Sequence, residues 1–169
     1  MGFSLVPDYV FSAFHELTVD FLKEQGICGV ILDIDNTLEP YENAYPGERV
    51  KEWLTELKNA GISYAFVSNN NKERVDTFNN ELGAVAFHKA GKPFKKNVIK
   101  AMYLINCNKS NTILMGDQIL TDVWAARNAG ISAVLVPPIN DKKDLFTKFK
   151  RLLEKPILKR YRKREGKNK

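Results

Sequence analysis

The strongest constraint on the fold of this chain is a series of short, continuous apolar segments that alternate with helical patterns. These segments occupy residues 28–32, 64–67, 84–87, 112–115 and 131–136. Continuous apolar runs of this length are expected for strands that are buried on both faces of a parallel sheet. Strands separated by helices predict an α/β fold, in which a three-layer, Rossmann-like parallel sheet is flanked by helices through right-handed crossovers.

Apolar spacing and capping residues predict the helices. A leading helix is expected over residues 8–24, with Asp8 as its N-cap and apolar residues such as Val10, Phe14 and Phe21 at helical spacing. Further helices are expected over residues 47–60, 72–82, 93–105, 121–129 and 142–153. Pro93 is expected in the first turn of its helix, where its missing N–H is tolerated.

Charge divides the chain into a near-neutral body and a basic end. Residues 155–169 contain eight Lys or Arg and one Glu, a net charge of +7, so the first 154 residues come to about −1. We therefore predict one domain over residues 1–154, with its core at 27–137, followed by a basic C-terminal tail at 155–169. A basic tail favours an electrostatic tether to an anionic surface, and RNA would attract it too.

The sequence shows no pattern for export or membrane insertion, which predicts a cytoplasmic protein. The N-terminal residues lack the pattern of a signal peptide, and no apolar run approaches the ~20 residues that a membrane-spanning helix needs. Two cysteines are too few for a metal cluster or a disulfide framework.

Polar residues follow three of the predicted strands at the point where each strand ends. Asp33 and Asp35 follow the first apolar segment, Ser68 follows the second, and Asp117 follows the fourth. Ligands of parallel α/β sheets bind beyond the carboxyl ends of the strands, so these side chains are expected to meet at one edge.

Two neighbouring carboxylates at such an edge suggest phosphoryl chemistry. Asp33 and Asp35 repel each other unless a cation lies between them, and hard oxygen ligands favour Mg²⁺. One carboxylate can attack phosphorus to form an aspartyl-phosphate, and the other can protonate the leaving oxygen and then activate water. The alternative interpretation is an acidic loop that caps the following helix.

Four more residues supply what the two aspartates lack. Ser68 can donate a hydrogen bond to a phosphoryl oxygen, and Lys92 can stabilise the transferring phosphate. Asp117 offers a further metal ligand, and Asp122 can orient Lys92 or hold a metal-bound water. Lys89 is the alternative phosphate lysine, but Lys92 is favoured because it precedes Pro93 at a predicted helix start.

This order of motifs resembles the haloacid dehalogenase-like (HAD) superfamily of phosphohydrolases. The four motifs read VILDIDNTL, YAFVSNN, GKP and ILMGDQILTD, and they lie within residues 28–136. The resemblance implies that Asp33 is the nucleophile and a metal ligand, while Asp35 is the acid/base and its backbone carbonyl also binds the metal. It further implies a phosphate-binding group of Ser68, Asn69 and Lys92, Asp117 as a metal ligand, and Thr37 and Asp122 as supporting residues.

The spacing of the motifs leaves no room for the cap domains of this superfamily. The steps from Asp33 to Ser68 and from Ser68 to Lys92 are filled by the predicted loop, helices and short strand. The predicted fold is therefore capless, and its open site suits a large substrate or closure by a second subunit in a homo-oligomer.

Within the superfamily, the motifs are most similar to the YqeG-like, subfamily IIIA proteins, which include mitochondrial phosphatidylglycerophosphatases. This resemblance implies a phosphorylated lipid headgroup as substrate, with the protein peripheral at the inner membrane face. Two alternatives remain: a phosphatase of a soluble nucleotide, sugar phosphate or polynucleotide end, and a non-catalytic RNA- or ribosome-binding module that reuses the fold.

Overall fold

The structure is a computed structural model that describes residues 4–140 and 145–166 of the 169-residue chain. Its strands are β1 (Tyr9–Val10), β2 (Gly29–Leu32), β3 (Ser63–Val67), β4 (Val85–Phe87), β5 (Thr112–Gly116) and β6 (Ser132–Leu135). They form one parallel sheet in the order β1-β6-β5-β2-β3-β4. This topology confirms the predicted parallel α/β sheet.

Helices cover both faces of the sheet. They are α1 (Val19–Glu24), α2 (Glu48–Asn59), α3 (Lys72–Asn79), α4 (Lys96–Leu104), α5 (Trp124–Ala129) and α6 (Leu145–Glu165). Alternate residues of β2 point to opposite faces, so Leu32 packs in one apolar cluster with Trp53 of α2. Its neighbour Ile31 packs in the other cluster with Met102 of α4. The predicted three layers are therefore confirmed.

The predicted leading helix over residues 8–24 is wrong for most of its length. Residues 9–10 form the edge strand β1, residues 14–16 form one 3₁₀ turn, and the α-helix begins only at Val19. Asp8 does not cap a helix, because its carboxylate accepts a hydrogen bond from Ala133 N at 2.7 Å and pairs with Arg127. Phe14 and Leu17 are buried in the core, so their spacing reflects tertiary packing rather than helical periodicity.

The helix predicted from Pro93 begins three residues later, at Lys96. Pro93 lies instead in a turn that the N–H of Phe94 closes by donating to Gly91 O at 2.9 Å. Gly91 has a φ of +72°, which favours glycine. The segment around Lys92 is consequently a loop at the carboxyl edge of the sheet.

Helix α6 extends through most of the segment predicted as a separate tail. The start expected at residue 142 lies outside the described residues, and the end expected at residue 153 is wrong because the helix continues to Glu165. Ile157 and Leu158 pack against the core, and Arg164 donates to the carbonyls of Pro7 and Asp8 at 2.9 and 3.0 Å. These contacts hold a mostly basic helix against the body.

A buried glutamate also connects α6 to the body. Glu154 is 3% exposed, and its Oε1 accepts a hydrogen bond from Ile119 N at 2.9 Å. Ile119 begins a π-helical turn, residues 119–123, which precedes α5. Asp122 lies in this π-helical turn. The hydrogen bond between Glu154 and Ile119 therefore lets α6 support the segment that positions Asp122.

Candidate active site

The carboxyl edge of the sheet collects the polar residues that the sequence placed at strand ends. Asp33 follows β2, Ser68 follows β3 and Asp117 follows β5, and all three side chains are buried. Lys92 reaches the same edge from the loop between β4 and α4, and it is also buried. Of the residues predicted to meet at this edge, Asp33, Ser68 and Asp117 have buried side chains there, and Lys92 joins them.

Lys92 is the cation at the centre of this group. Its Nζ donates to Asp33 Oδ1 and to Asp122 Oδ1, each at 2.6 Å. Burial alone would lower the pKa of Lys92, but the carboxylates of Asp122 and Asp33 raise it above its ordinary value. The lysine is therefore held in its charged form. Lys89, the alternative, is exposed.

The nucleophile candidate Asp33 has an altered acidity. Burial raises the pKa of Asp33 to about 6; the Lys92 ammonium opposes this rise, and the Asp122 carboxylate adds to it. Thr37 donates to Asp33 Oδ2 at 3.3 Å and lies 3.5 Å from Asp117 Oδ1. Thr37 thus lies between two of the carboxylates, in the supporting position that the motif implied.

Three buried carboxylates form a group that fits a metal ion. One oxygen from each of Asp33, Asp117 and Asp122 lies within 4.8 Å of the others. Asp122 accepts hydrogen bonds from Lys92 Nζ through Oδ1 and from Gln118 N through Oδ2. Asp33 likewise accepts from Lys92 Nζ and from Thr37, so the protein holds both of these carboxylates in place. Oxygen-only donors of this kind match the preference of Mg²⁺.

Gly116 allows Asp122 to approach the end of β5. A Cβ atom added at Gly116 would lie 2.2 Å from Cγ of Asp122, which is a severe overlap. Any side chain at this position would displace Asp122 from Lys92. A glycine is therefore needed before Asp117 for a steric reason, which the sequence motif alone did not reveal.

Asp35 is not one of the three grouped carboxylates, but its charge is among those that raise the pKa of Asp33. Its Oδ2 accepts from Asn70 Nδ2 and its Oδ1 from Arg74 Nε, both at 2.9 Å. Arg74 also donates to the carbonyl of Ala44 at 2.7 Å, which ties the loop after β2 to helix α3. Sequence reasoning missed both Asn70 and Arg74. In the sequence, Arg74 could be noticed only from its position in the first turn of the helix that follows the SNN motif.

Asn69 and Ser68 organise the loop after β3. The side-chain amide of Asn69 donates to Lys92 O at 3.0 Å and accepts from Lys92 N at 2.8 Å. The amide thus holds the backbone of the lysine loop. Ser68 Oγ accepts from Asn70 N at 3.1 Å, a turn contact that leaves its own proton available for donation.

No cap domain stands between these motifs in residues 33–92, all of which the structure describes. The segment from β2 to β3 contains one loop and α2, and the segment from β3 to β4 contains only α3. The carboxyl edge is therefore covered by loops alone in this part of the chain.

Comparisons with known proteins agree with this geometry. Residues 13–136 match the family model described as haloacid dehalogenase-like hydrolase. The "Probable phosphatase YqeG" of Bacillus subtilis (strain 168) is 36% identical over 156 residues, which are 92% of this chain and 90% of that protein.

Solved structures of low identity share the fold. The cobalt-bound deoxy-D-mannose-octulosonate 8-phosphate phosphatase of Haemophilus influenzae is 20% identical, with a TM-score of 0.54 over 76% of this chain and 77% of that chain. The 3-deoxy-D-manno-octulosonate 8-phosphate phosphatase of Moraxella catarrhalis, in complex with magnesium, phosphate and KDO, is 19% identical, with a TM-score of 0.53 over 69% of this chain and 73% of that chain. At these identities the likeness concerns the fold alone. The family match and the YqeG relative carry the assignment: this chain belongs to the haloacid dehalogenase-like hydrolase family.

Proposed function

We propose that this chain, a phosphatase of the haloacid dehalogenase-like family, hydrolyses phosphomonoesters through an aspartyl-phosphate on Asp33, with Mg²⁺ as cofactor. The observation that carries the proposal is the buried Asp33 carboxylate, with one oxygen 2.6 Å from Lys92 Nζ and with Asp117 and Asp122 beside it. A pure phosphate-binding module would gain little from three buried carboxylates, since each repels the anion.

Asp33 and Asp117 would hold the magnesium ion, together with the backbone carbonyl of Asp35. When bound, the ion neutralises charge on the phosphoryl group and on the nucleophile. Lys92 adds a positive charge 2.6 Å from Asp33 Oδ1, and Ser68 would donate its hydroxyl proton to a phosphoryl oxygen.

The reaction has two steps on these residues. An oxygen of Asp33 attacks phosphorus, the bond from phosphorus to the ester oxygen breaks, and Asp35 gives that oxygen a proton. Asp35 then takes a proton from water as the water attacks phosphorus, which releases phosphate and restores Asp33. Asn70 and Arg74 hold the Asp35 carboxylate through two hydrogen bonds of 2.9 Å.

The proposed substrate is phosphatidylglycerophosphate, which would be converted to phosphatidylglycerol. The similarity to YqeG supports a phosphatase. The absence of a cap over residues 33–92 and the exposed basic residues of α6 favour a large anionic substrate at a membrane surface. Soluble sugar phosphates are the second candidate, because the structural neighbours include octulosonate 8-phosphate phosphatases. We place the protein in the cytoplasm, peripheral at the inner membrane face.

None of the described helices combines the length and apolar composition that crossing a bilayer requires.

A substrate panel tests the proposal. Phosphate release is measured with phosphatidylglycerophosphate in mixed micelles, mononucleotides, sugar phosphates and end-phosphorylated RNA, with Mg²⁺ or with EDTA. We expect Mg²⁺-dependent release that is highest with the lipid and lost in Asp33→Asn while the fold is retained. No release from any class would refute the phosphatase mechanism, and a preference for a soluble substrate would refute the lipid assignment.

A further inference from the structure

A largely apolar cleft of about 510 Å³ opens beside the carboxylate group, between the ends of β1 and β6 and helix α6. Its walls include Val10 on β1, Leu135 on β6, and Leu158 and Tyr161 on α6, while Asp117 lies at its inner side. Sites for small organic ligands have volumes of roughly 300–1,000 Å³ and mostly apolar walls. The cleft therefore has the size and lining of a ligand site.

Asp117 is shared by the cleft lining and the group of three buried carboxylates. The same residue lines the cleft and has a carboxylate oxygen within 4.8 Å of oxygens of Asp33 and Asp122. A phosphoryl group bound at Asp33 would therefore have one lining residue of the cleft, Asp117, close to it. The organic group on the ester oxygen could extend from there along the apolar walls.

Part of the apolar surface of the cleft walls is exposed to solvent. Val10 is 37% exposed, and Leu158 and Tyr161 are only partly buried. Removing such surface from water is favourable by about 25 cal/mol per Å². An apolar group of a ligand would gain this free energy, whereas a polyhydroxylated sugar has little apolar surface to bury against these walls.

A positive charge stands beside this apolar surface. Arg162 also lines the cleft, is exposed, and forms no ion pair with residues that the structure describes. A guanidinium group suits a second anionic group, a phosphodiester above all, because it can form two parallel hydrogen bonds to one oxyanion.

We infer that this cleft binds the organic group of an amphiphilic phosphomonoester, with apolar carbons against Val10 and Leu158 and a second anionic group near Arg162. The inference rests on the proposed phosphatase function and adds to it a specificity site outside the catalytic residues. It predicts that the enzyme selects substrates by the apolar carbons next to the phosphate ester.

A chain-length series tests the apolar wall directly. Phosphate release is measured with ethyl, butyl and hexyl phosphate below their micelle concentrations, with Mg²⁺ present. We expect kcat/KM to rise about two- to fourfold for each added methylene, the effect of burying one CH₂ group. Equal kcat/KM for all three esters would overturn the inference and leave the phosphatase mechanism standing, whereas no release from any ester would contradict the mechanism itself.

Substitutions inside and outside the cleft test whether the preference for longer alkyl chains arises in the cleft. Val10→Asp places a charge in the wall, and Val10→Phe narrows the cleft while keeping it apolar. Both should reduce the ratio of kcat/KM for hexyl over ethyl phosphate to about one, with Mg²⁺-dependent thermal stabilisation as the check on folding. Leu104→Asp is the matched control, because Leu104 is exposed at the end of α4 and lies outside the cleft. Loss of the ratio in the control, or its survival in both Val10 variants, would overturn the assignment.

The role of Arg162 is tested with two substrates, one that contains a phosphodiester and one that does not. Arg162→Gln should raise KM at least fivefold for a short-chain phosphatidylglycerophosphate, which carries a phosphodiester, and leave the KM for hexyl phosphate unaltered. Arg160→Gln, at an exposed position outside the cleft, is the control and should change neither. Equal effects of Arg162→Gln on both substrates would remove Arg162 from the site.

Discussion

At the scale of single residues, the site depends on one buried lysine between two buried carboxylates. Lys92 Nζ lies 2.6 Å from both Asp33 and Asp122. A buried charge without a partner is strongly unfavourable, and removing one member of a buried pair typically destabilises a protein by about 3–5 kcal/mol. Lys92 therefore affects both the stability of the site and the charge on Asp33, the proposed nucleophile.

A pair of lysine variants tests the role of Lys92. Lys92→Met should lower kcat about a hundred- to a thousandfold, because a positive charge aimed at the transferring phosphoryl group is lost. Lys89→Met is the matched control, since Lys89 is exposed three residues earlier in the same loop, and it should stay within about twofold of wild type. The measurement is steady-state phosphate release. Similar losses in the two variants would contradict the assignment of Lys92.

Arg74 contacts the reaction site through Asp35, the proposed acid/base. Its Nε lies 2.9 Å from Asp35 Oδ1, and its Nη1 donates to Ala44 O at 2.7 Å. It therefore fixes both the Asp35 carboxylate, to which we assign the proton transfers, and the loop that carries it. A displacement of about 1 Å in such a group can reduce the rate a hundredfold.

Arg74→Ala should therefore lower kcat by roughly ten- to a hundredfold while changing KM little. Arg74→Lys keeps the charge but not the geometry of the guanidinium, so it should restore only part of the activity. Arg49→Ala, at an exposed position of α2, controls for loss of an arginine. A rise in KM with unchanged kcat would indicate that Arg74 binds substrate instead.

At the scale of elements, helix α6 has two different faces. Ile157 and Leu158 pack against the core, whereas Lys155, Lys159 and Lys163 are exposed. Residues four apart lie on the same side of a helix, so the three lysines form one outward stripe. Deleting the whole segment would remove the packed face together with the charge, and the deletion could not separate the two effects.

Replacing Lys155, Lys159 and Lys163 together by Gln removes the charge and keeps the packing. Each basic residue near an anionic bilayer contributes about 1 kcal/mol, so binding to anionic liposomes should weaken by roughly a hundredfold. Sedimentation with phosphatidylglycerol vesicles measures the binding, and added salt should weaken wild-type binding too. Unchanged sedimentation of the triple variant with unchanged thermal stability would rule out the lysine stripe as a tether.

At the scale of the whole molecule, the parallel sheet concentrates negative charge at one edge. Three buried carboxylates meet one buried lysine there. Burial raises the pKa of Asp33 to about 6 from an ordinary value near 4. The folded, metal-free protein therefore binds a proton more tightly than the unfolded chain does. The charged form of Asp33 destabilises the fold above about pH 6, and this effect is relieved as the pH falls towards 4.

Magnesium should therefore stabilise the protein in a pH-dependent manner. The ion requires the deprotonated carboxylate of Asp33. It therefore competes with a proton for Asp33 below about pH 6, and this competition disappears above that pH. We expect the Mg²⁺-induced rise in melting temperature to be larger at pH 7.5 than at pH 5. Thermal denaturation with Mg²⁺ or EDTA measures it, and Asp33→Asn should abolish most of the difference. An equal Mg²⁺ effect at both pH values in wild type would contradict the role of Asp33 in metal binding.

The sequence by itself determined the parallel sheet and the residues at its edge. Short apolar runs identify buried strands, and a parallel sheet brings their carboxyl ends together, so the order of residues alone is enough to place Asp33, Ser68 and Asp117 at one edge. The sequence could not predict that residues 9–10 form a strand, because the apolar spacing of that segment fits a helix and the pairing partner β6 lies over a hundred residues away.

The sequence favoured Lys92 over Lys89, but only the tertiary structure paired Lys92 with Asp33, joined Arg74 to Asp35, and turned most of the basic tail into a docked helix. In each case the deciding contact is between residues far apart in the chain: 59 residues for Lys92 and Asp33, 39 for Arg74 and Asp35, and 35 for Glu154 and Ile119. Local propensity and periodicity contain no information about such contacts, because their free energy comes from burial and charge pairing that exist only after the chain has folded.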